Sequence, residues 1–209
     1  MHRYVLGFLF FFGMAAVQSA SADTLQNCVT CGGVVYTLTD APVGAPSGGL
    51  QWYDFTLQVN TAHITAPNAN LLRAVALGVP AGTNNFRVDG TPLSGGWTST
   101  SGGISNGNNA PAGGGCNGSG NFQCLQSTGG VPTGSAGDIY TFIFGYQLSA
   151  GLTGDLASGL SLKAIYDSTP GTFGGLQTSD KFAAPVPEPG TLTLLGAGLL
   201  AAGLLLKRR

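Results

Sequence analysis

Between Ile139 and Leu148 the chain reads IYTFIFGYQL, and Tyr140, Phe142, Phe144 and Tyr146 fall at every second position. Side chains alternate across a strand with a period of two, so this spacing predicts a β-strand with one aromatic face. Ile139, Thr141 and Ile143 form the other face. Two apolar faces place the element centrally, between two layers. Any fold open to the chain must bury it.

Other segments repeat the pattern. Leu50 to Asn60 (LQWYDFTLQVN) sets Tyr53, Phe55, Leu57 and Val59 against Asp54, Thr56, Gln58 and Asn60. Leu160 to Tyr166 (LSLKAIY) sets Leu160, Leu162, Ala164 and Tyr166 against Ser161 and Lys163. Val34 to Thr39 (VVYTLT) is β-branched and aromatic, and Asp40-Ala41-Pro42 stops it before a turn-rich link from Pro42 to Gly49. Leu71 to Val79 (LLRAVALGV) fits a short helix or a buried strand, and its valine-rich end before Pro80 favours the strand. Phe86 to Val88 reads as a short edge before an Asp89-Gly90 turn. Gly95 to Gly137 reads as one long polar loop, and Asp167 to Ala184 as a return ending in one more edge strand. Short alternating strands separated by Gly and Pro turns predict an all-β fold: a single antiparallel two-sheet sandwich, jelly-roll-like. The 35 glycines follow no collagen period and suit a loop-rich β protein.

The two ends read as addresses. Residues 1–22 have the order of a secretory signal peptide: Arg3, an apolar run from Val5 to Val17, and Ala20-Ser21-Ala22 with cleavage before Asp23. At the other end Pro187-Glu188-Pro189 precedes an uncharged apolar run from Thr191 to Leu206, and Lys207, Arg208 and Arg209 close the chain. As a helix that run is roughly 24 Å long against a hydrocarbon core of roughly 30 Å, short for a span unless the bilayer thins and the basic triplet snorkels. The triplet would be held in the cytoplasm, with the body on the other side. The resulting division is a signal peptide over 1–22, a sandwich over 23–184, and a tail over 185–209 with a transmembrane helix at 191–206.

The ordered tail, Val186, Pro187, Glu188, Pro189, a glycine-bearing apolar span and the basic stop, resembles the PEP-CTERM sorting signal of exported bacterial proteins. That resemblance implies passage through the secretion machinery, transient residence on the periplasmic side of the inner membrane, and processing near Pro-Glu-Pro by an exosortase-type enzyme. Delivery to the cell surface or an exopolysaccharide matrix would follow. A second resemblance rests on CNGSGNFQC, residues 116–124, preceded by Gly95-Gly96-Trp97. It is similar to a loop of PEP-CTERM proteins with β-sandwich bodies.

Between the ends, four cations (Arg73, Arg87, Lys163, Lys181) and eight aspartates leave the body at −4. That balance, with no basic cluster, argues against nucleic acid, whose binding is driven by phosphate neutralisation. Cys28, Cys31, Cys116 and Cys124 lie in the exported part, where disulfides are the rule. Of the three connectivities, Cys28 with Cys31 and Cys116 with Cys124 requires no long-range proximity. Zinc is disfavoured by the second spacing and the lack of a nearby histidine. His63 is the one histidine after the signal peptide, in a loop-like stretch. No nucleophile elbow, histidine pair or phosphate loop accompanies it, so we expect no catalytic residues, no metal and no cofactor. Two readings remain: a non-catalytic cell-surface or matrix protein associated with exopolysaccharide and, as the alternative, a carbohydrate-binding or adhesion module using exposed aromatics. Trp97 and Trp52 are the candidate glycan contacts, each with packing into the core as the alternative.

Overall fold

The computed structural model describes residues 22–25, 31–92, 96–105, 115–135, 137–152, 154–168 and 177–182. Every regular element among them is a strand: β1 (Ala22–Leu25), β2 (Val35–Ser47), β3 (Leu50–Asn60), β4 (Leu71–Gly78), β5 (Asn85–Gly90), β6 (Trp97–Ser105), β7 (Gly115–Pro132), β8 (Ile139–Ser149), β9 (Ser161–Asp167) and β10 (Gln177–Lys181). They form two five-stranded antiparallel sheets, ordered β1-β2-β3-β8-β5 and β10-β9-β4-β7-β6. The predicted all-β two-sheet sandwich is the fold observed. Both expected terminal helices lie outside the described residues. Among the described residues no helix is long and apolar enough to cross a membrane.

The core lies between the sheets and is built from the alternation that marks the strands. Tyr53, Phe55, Leu57 and Val59 of β3 and Phe142, Phe144, Tyr146 and Leu148 of β8 face Leu72, Val75 and Leu77 of β4 and Leu162, Ala164 and Tyr166 of β9, all buried. The sheets are also joined by polar atoms. The Tyr36 and Tyr166 hydroxyls meet at 2.7 Å and Thr178 Oγ1 lies 3.0 Å from Tyr36, so these two buried phenols are partnered. Burial raises the pKa of both tyrosines.

Four expectations are corrected. First, the stretch expected as a link, Pro42 to Gly49, is largely strand, since β2 runs on to Ser47 and turns at Gly48 and Gly49. Its pairing with β1 ends at Ala22–Thr39, so beyond Thr39 one side of β2 has no strand partner among the described residues, and prolines cost no observed ladder bond there. Second, the segment expected as one long polar loop contains β6 and β7, paired from Trp97–Ser127 to Ser105–Gly115. Serine, threonine and glycine carry no apolar alternation, so pairing there was invisible to periodicity. Third, β8 has only one buried face: Ile139 is 51% exposed and Ile143 half-buried. Fourth, Asp89-Gly90 belongs to β5, at a bulge.

The outer face of the second sheet is covered by its own hairpin. Ala74, Ala76 and Ile165 form a separate buried cluster with Ile104, Cys116 and Cys124, and Phe122 packs against it. The Cys116–Cys124 disulfide, with Cα atoms 5.5 Å apart, clips β7 across the irregularity where Ser101 pairs with Gln123 but Gly103 pairs with Gly118. The two backbones approach so closely that a Cβ on Gly118 would lie 2.6 Å from the Ile104 carbonyl carbon. Cys31 is also disulfide-bonded, and Cys28 lies outside the described residues.

Candidate functional site

Among the described residues, nothing comparable covers the outer face of the first sheet. Register aligns Val43, Trp52, Gln147 and Asn85 in one row across β2, β3, β8 and β5, and Ala41, Asp54, Gly145 and Arg87 in the next. Positions two apart on a strand share a face, so Trp52 stands beside Asp54 and Asn85 beside Arg87. Inward neighbours on the same strands supply the burial that holds these rows in place.

Arg87 reaches from the edge strand across Gly145. Its guanidinium lies 4.3 Å from the centre of the Trp52 ring, and its Nη2 lies 3.4 Å from Asp54 Oδ1. This is a cation–π contact joined to an ion pair. Glycine is required at 145 because a Cβ there would come within 2.7 Å of Arg87 Cγ and 2.8 Å of Asp89 Oδ2. The β5 bulge between Val88 and Gly90 leaves Asp89 out of the ladder and aims its Oδ2 at Arg87 Nε, 2.6 Å away. Asn85 Nδ2 donates to Gln147 Oε1 at 2.8 Å and extends the polar row to the sheet edge.

Solvent reaches the charged groups: the side chains of Arg87, Asp54 and Asp89 are 37%, 23% and 29% exposed. Partial desolvation and the Asp89 carboxyl within hydrogen-bond reach raise the Asp54 pKa, and Arg87 opposes the rise. The same contacts raise that of Arg87, with the Asp89 hydrogen bond foremost. Beside this cluster the β2–β3 hairpin projects past Val43, exposed from Ala41 to Gly49. Gln51 clamps its base by donating to the carbonyls of Val43 at 2.6 Å and Gly44 at 3.0 Å.

Of the two tryptophans singled out in the sequence, Trp52 belongs to this surface. Trp97 opens β6 and packs edge-on against Phe142, with ring centroids 4.8 Å apart, against the sandwich interior. Asp89 was read as a turn residue, and Arg87, Asn85, Gln147 and Gly145 were not singled out. The one signal for Arg87 was its rarity in a body with four cations. Ala22 and Asp23 of the expected cleavage site lie in β1, while Ala20, Val186, Pro187, Glu188, Pro189, Lys207, Arg208 and Arg209 lie outside the described residues. His63 is exposed. Among the described residues, no three His, Cys, Asp or Glu side chains group as metal ligands.

The other aspartates have structural duties. Asp138 Oδ2 accepts from the Ser135 amide at 2.8 Å, which shapes the turn before β8. Asp40 Oδ1 accepts from the amides of Leu156 and Ala157, and Asp155 Oδ1 from those of Ala157 and Ser158. Asp167 is 1% exposed and lies in the field of the fully buried Arg73.

Residues 185–209 match the family model of the PEP-CTERM protein-sorting motif. A tail of this kind marks an exported protein, anchored at the membrane until an exosortase-type enzyme processes it. No curated protein and no solved structure matches the chain significantly.

Proposed function

We propose that the sandwich is a non-catalytic surface or matrix protein that holds exopolysaccharide on the open face of its first sheet. The observation that carries this reading is the aligned group of Trp52, Asp54 and Arg87 on a sheet face that no other described residues cover. An aromatic ring flanked by polar side chains offers an apolar face to sugar C–H groups and hydrogen-bond partners to hydroxyls. An exported protein meets such chains outside the cell.

The carboxylate geometry supports a binding role over hydrolysis. Asp54 and Asp89 lie within hydrogen-bond reach of each other. Glycosidases separate their carboxyls by about 5 Å or more so that the sugar bond lies between them. Here the gap is filled by Arg87, which engages both.

Affinity electrophoresis of the full chain in mild detergent, through gels containing polysaccharide, tests the proposal. Retention by at least one polysaccharide and its loss in Trp52→Ala are expected. Retention by none, or retention that Trp52→Ala leaves unchanged, sinks the reading. Delivery is tested separately, by mass spectrometry of the surface fraction: a chain ending near Pro187 is expected, and one still carrying residues 191–209 would overturn processing.

A further inference from the structure

We propose that this face selects uncharged saccharide chains and turns away polyuronates, an inference that rests on the glycan-holding reading above. Uronate recognition requires a cation with free donors, commonly an arginine fork. The two rows contain a single cation, Arg87, and two of its three nitrogens already face carboxylates. Its Nε is held by Asp89 at 2.6 Å, its Nη2 faces Asp54 at 3.4 Å, and its plane lies over Trp52 at 4.3 Å. One guanidinium and two carboxylates leave the cluster at −1. A polyuronate would bring further negative charge to that cluster and would have to draw Arg87 away from both partners.

The remaining hydrogen-bonding groups match hydroxyls. Ionised carboxylates only accept, so Asp54 and Asp89 call for donors, which a neutral sugar has and a carboxylate lacks. The Asn85–Gln147 bond uses one donor and one acceptor, leaving a carbonyl on Asn85 and amide hydrogens on Gln147 for a ligand that both donates and accepts. Sugar hydroxyls do both. Gly145 contributes the absence of a side chain: it lets Arg87 cross β8 to Asp54 on β3, while Asp89 meets it from its own strand, so the guanidinium is drawn toward carboxylates the protein itself supplies.

The test compares retention of the full chain, in mild detergent and at low and moderate salt, by gels of three neutral polymers (dextran, hydroxyethylcellulose and galactomannan) and one polyuronate (polygalacturonate). The expected result is retention by at least one neutral polymer about tenfold stronger than by polygalacturonate, little changed by salt, since no ion pair to the ligand is involved. Stronger retention by polygalacturonate, lost in Trp52→Ala, would overturn the inference while the glycan-holding reading stands. If all four gels fail to retain the chain, both fall. This comparison uses the unaltered protein and decides the inference by itself. Asp54→Asn with Asp89→Asn then reverses the cluster to +1 and frees the Arg87 fork: about tenfold weaker retention by the neutral polymer and a gain on polygalacturonate are expected. An unchanged preference in that variant, with its melting temperature retained, also counts against the inference.

Discussion

The two sheets treat the same chemical unit in opposite ways. In the second, Arg73 is fully buried at a bulge of β4, donates to the carbonyl of Thr128, and sits near Asp167, itself 1% exposed. In the first, Arg87 lies on the outer face of an edge strand and shares Asp54 and Asp89 with solvent. The outer faces follow suit, one sealed by a disulfide-clipped hairpin and the other open. A charge taken fully from water must be matched and immobile, whereas one left at the surface costs little. On the proposed reading, the contrast gives stability to one sheet and contact to the other.

The largest effect is expected at Arg73. Arg73→Met strands the Asp167 carboxylate in the interior and should cost about 3–5 kcal/mol in urea denaturation of the full chain. Adding Asp167→Leu should recover part of that loss, because the stranded charge dominates the cost. A loss below about 1 kcal/mol would erase the contrast.

Next comes the covered face. Cys116→Ser with Cys124→Ser should cost about 2–3 kcal/mol, the chain-entropy value for so short a loop. It should also expose Ala74, Ala76 and Ile165, which binding of an apolar dye would report.

Two glycines sharpen the comparison further. An added Cβ at Gly118 meets the backbone of Ile104 and Gly103, which cannot yield, so Gly118→Ala should cost about 1–3 kcal/mol. At Gly145 the first atoms met are the movable side chains of Arg87 and Asp89. Gly145→Ala should therefore cost less in stability than Gly118→Ala, yet weaken polysaccharide retention by displacing Arg87.

The smallest stability effect belongs to Arg87→Ala, within about 1 kcal/mol, as exposed ion pairs allow. Its signature is electrostatic. Asp54 should titrate above its ordinary value of 3.8 in the unaltered protein, lower in Asp89→Asn and higher still in Arg87→Ala, read from its carboxyl carbon by NMR. Because folding raises this pKa, the Asp54 contribution to stability is present below pH 3.8 and lost as pH rises through the folded value.

Much of this fold was legible in the chain, because burial on one face of a strand writes itself as alternation. Residues 50–60 and 160–166 announced β3 and β9, and their inward sets are those found. Half of the candidate site was legible in the same way: Trp52 and Asp54 occupy outward positions of a strand whose inward set is unmistakable. Arg87, Asp89 and Gly145 were not, since nothing in a local window says that residue 87 lies two strands from residue 54 with a glycine between. Trp97 shows the converse, for its polar flanks suggested a platform while its ring docks on Phe142 from another sheet.

By itself, then, the sequence determined the fold class, most strand positions and the sorting tail at 185–209, all of them properties of local pattern. Tertiary structure alone decided that a serine- and glycine-rich stretch pairs as β6 and β7, that one outer face is covered and the other open, and that Arg87 reaches Trp52. Each of these depends on strand order and register. Register is set by contacts between residues distant in sequence, which no local periodicity encodes.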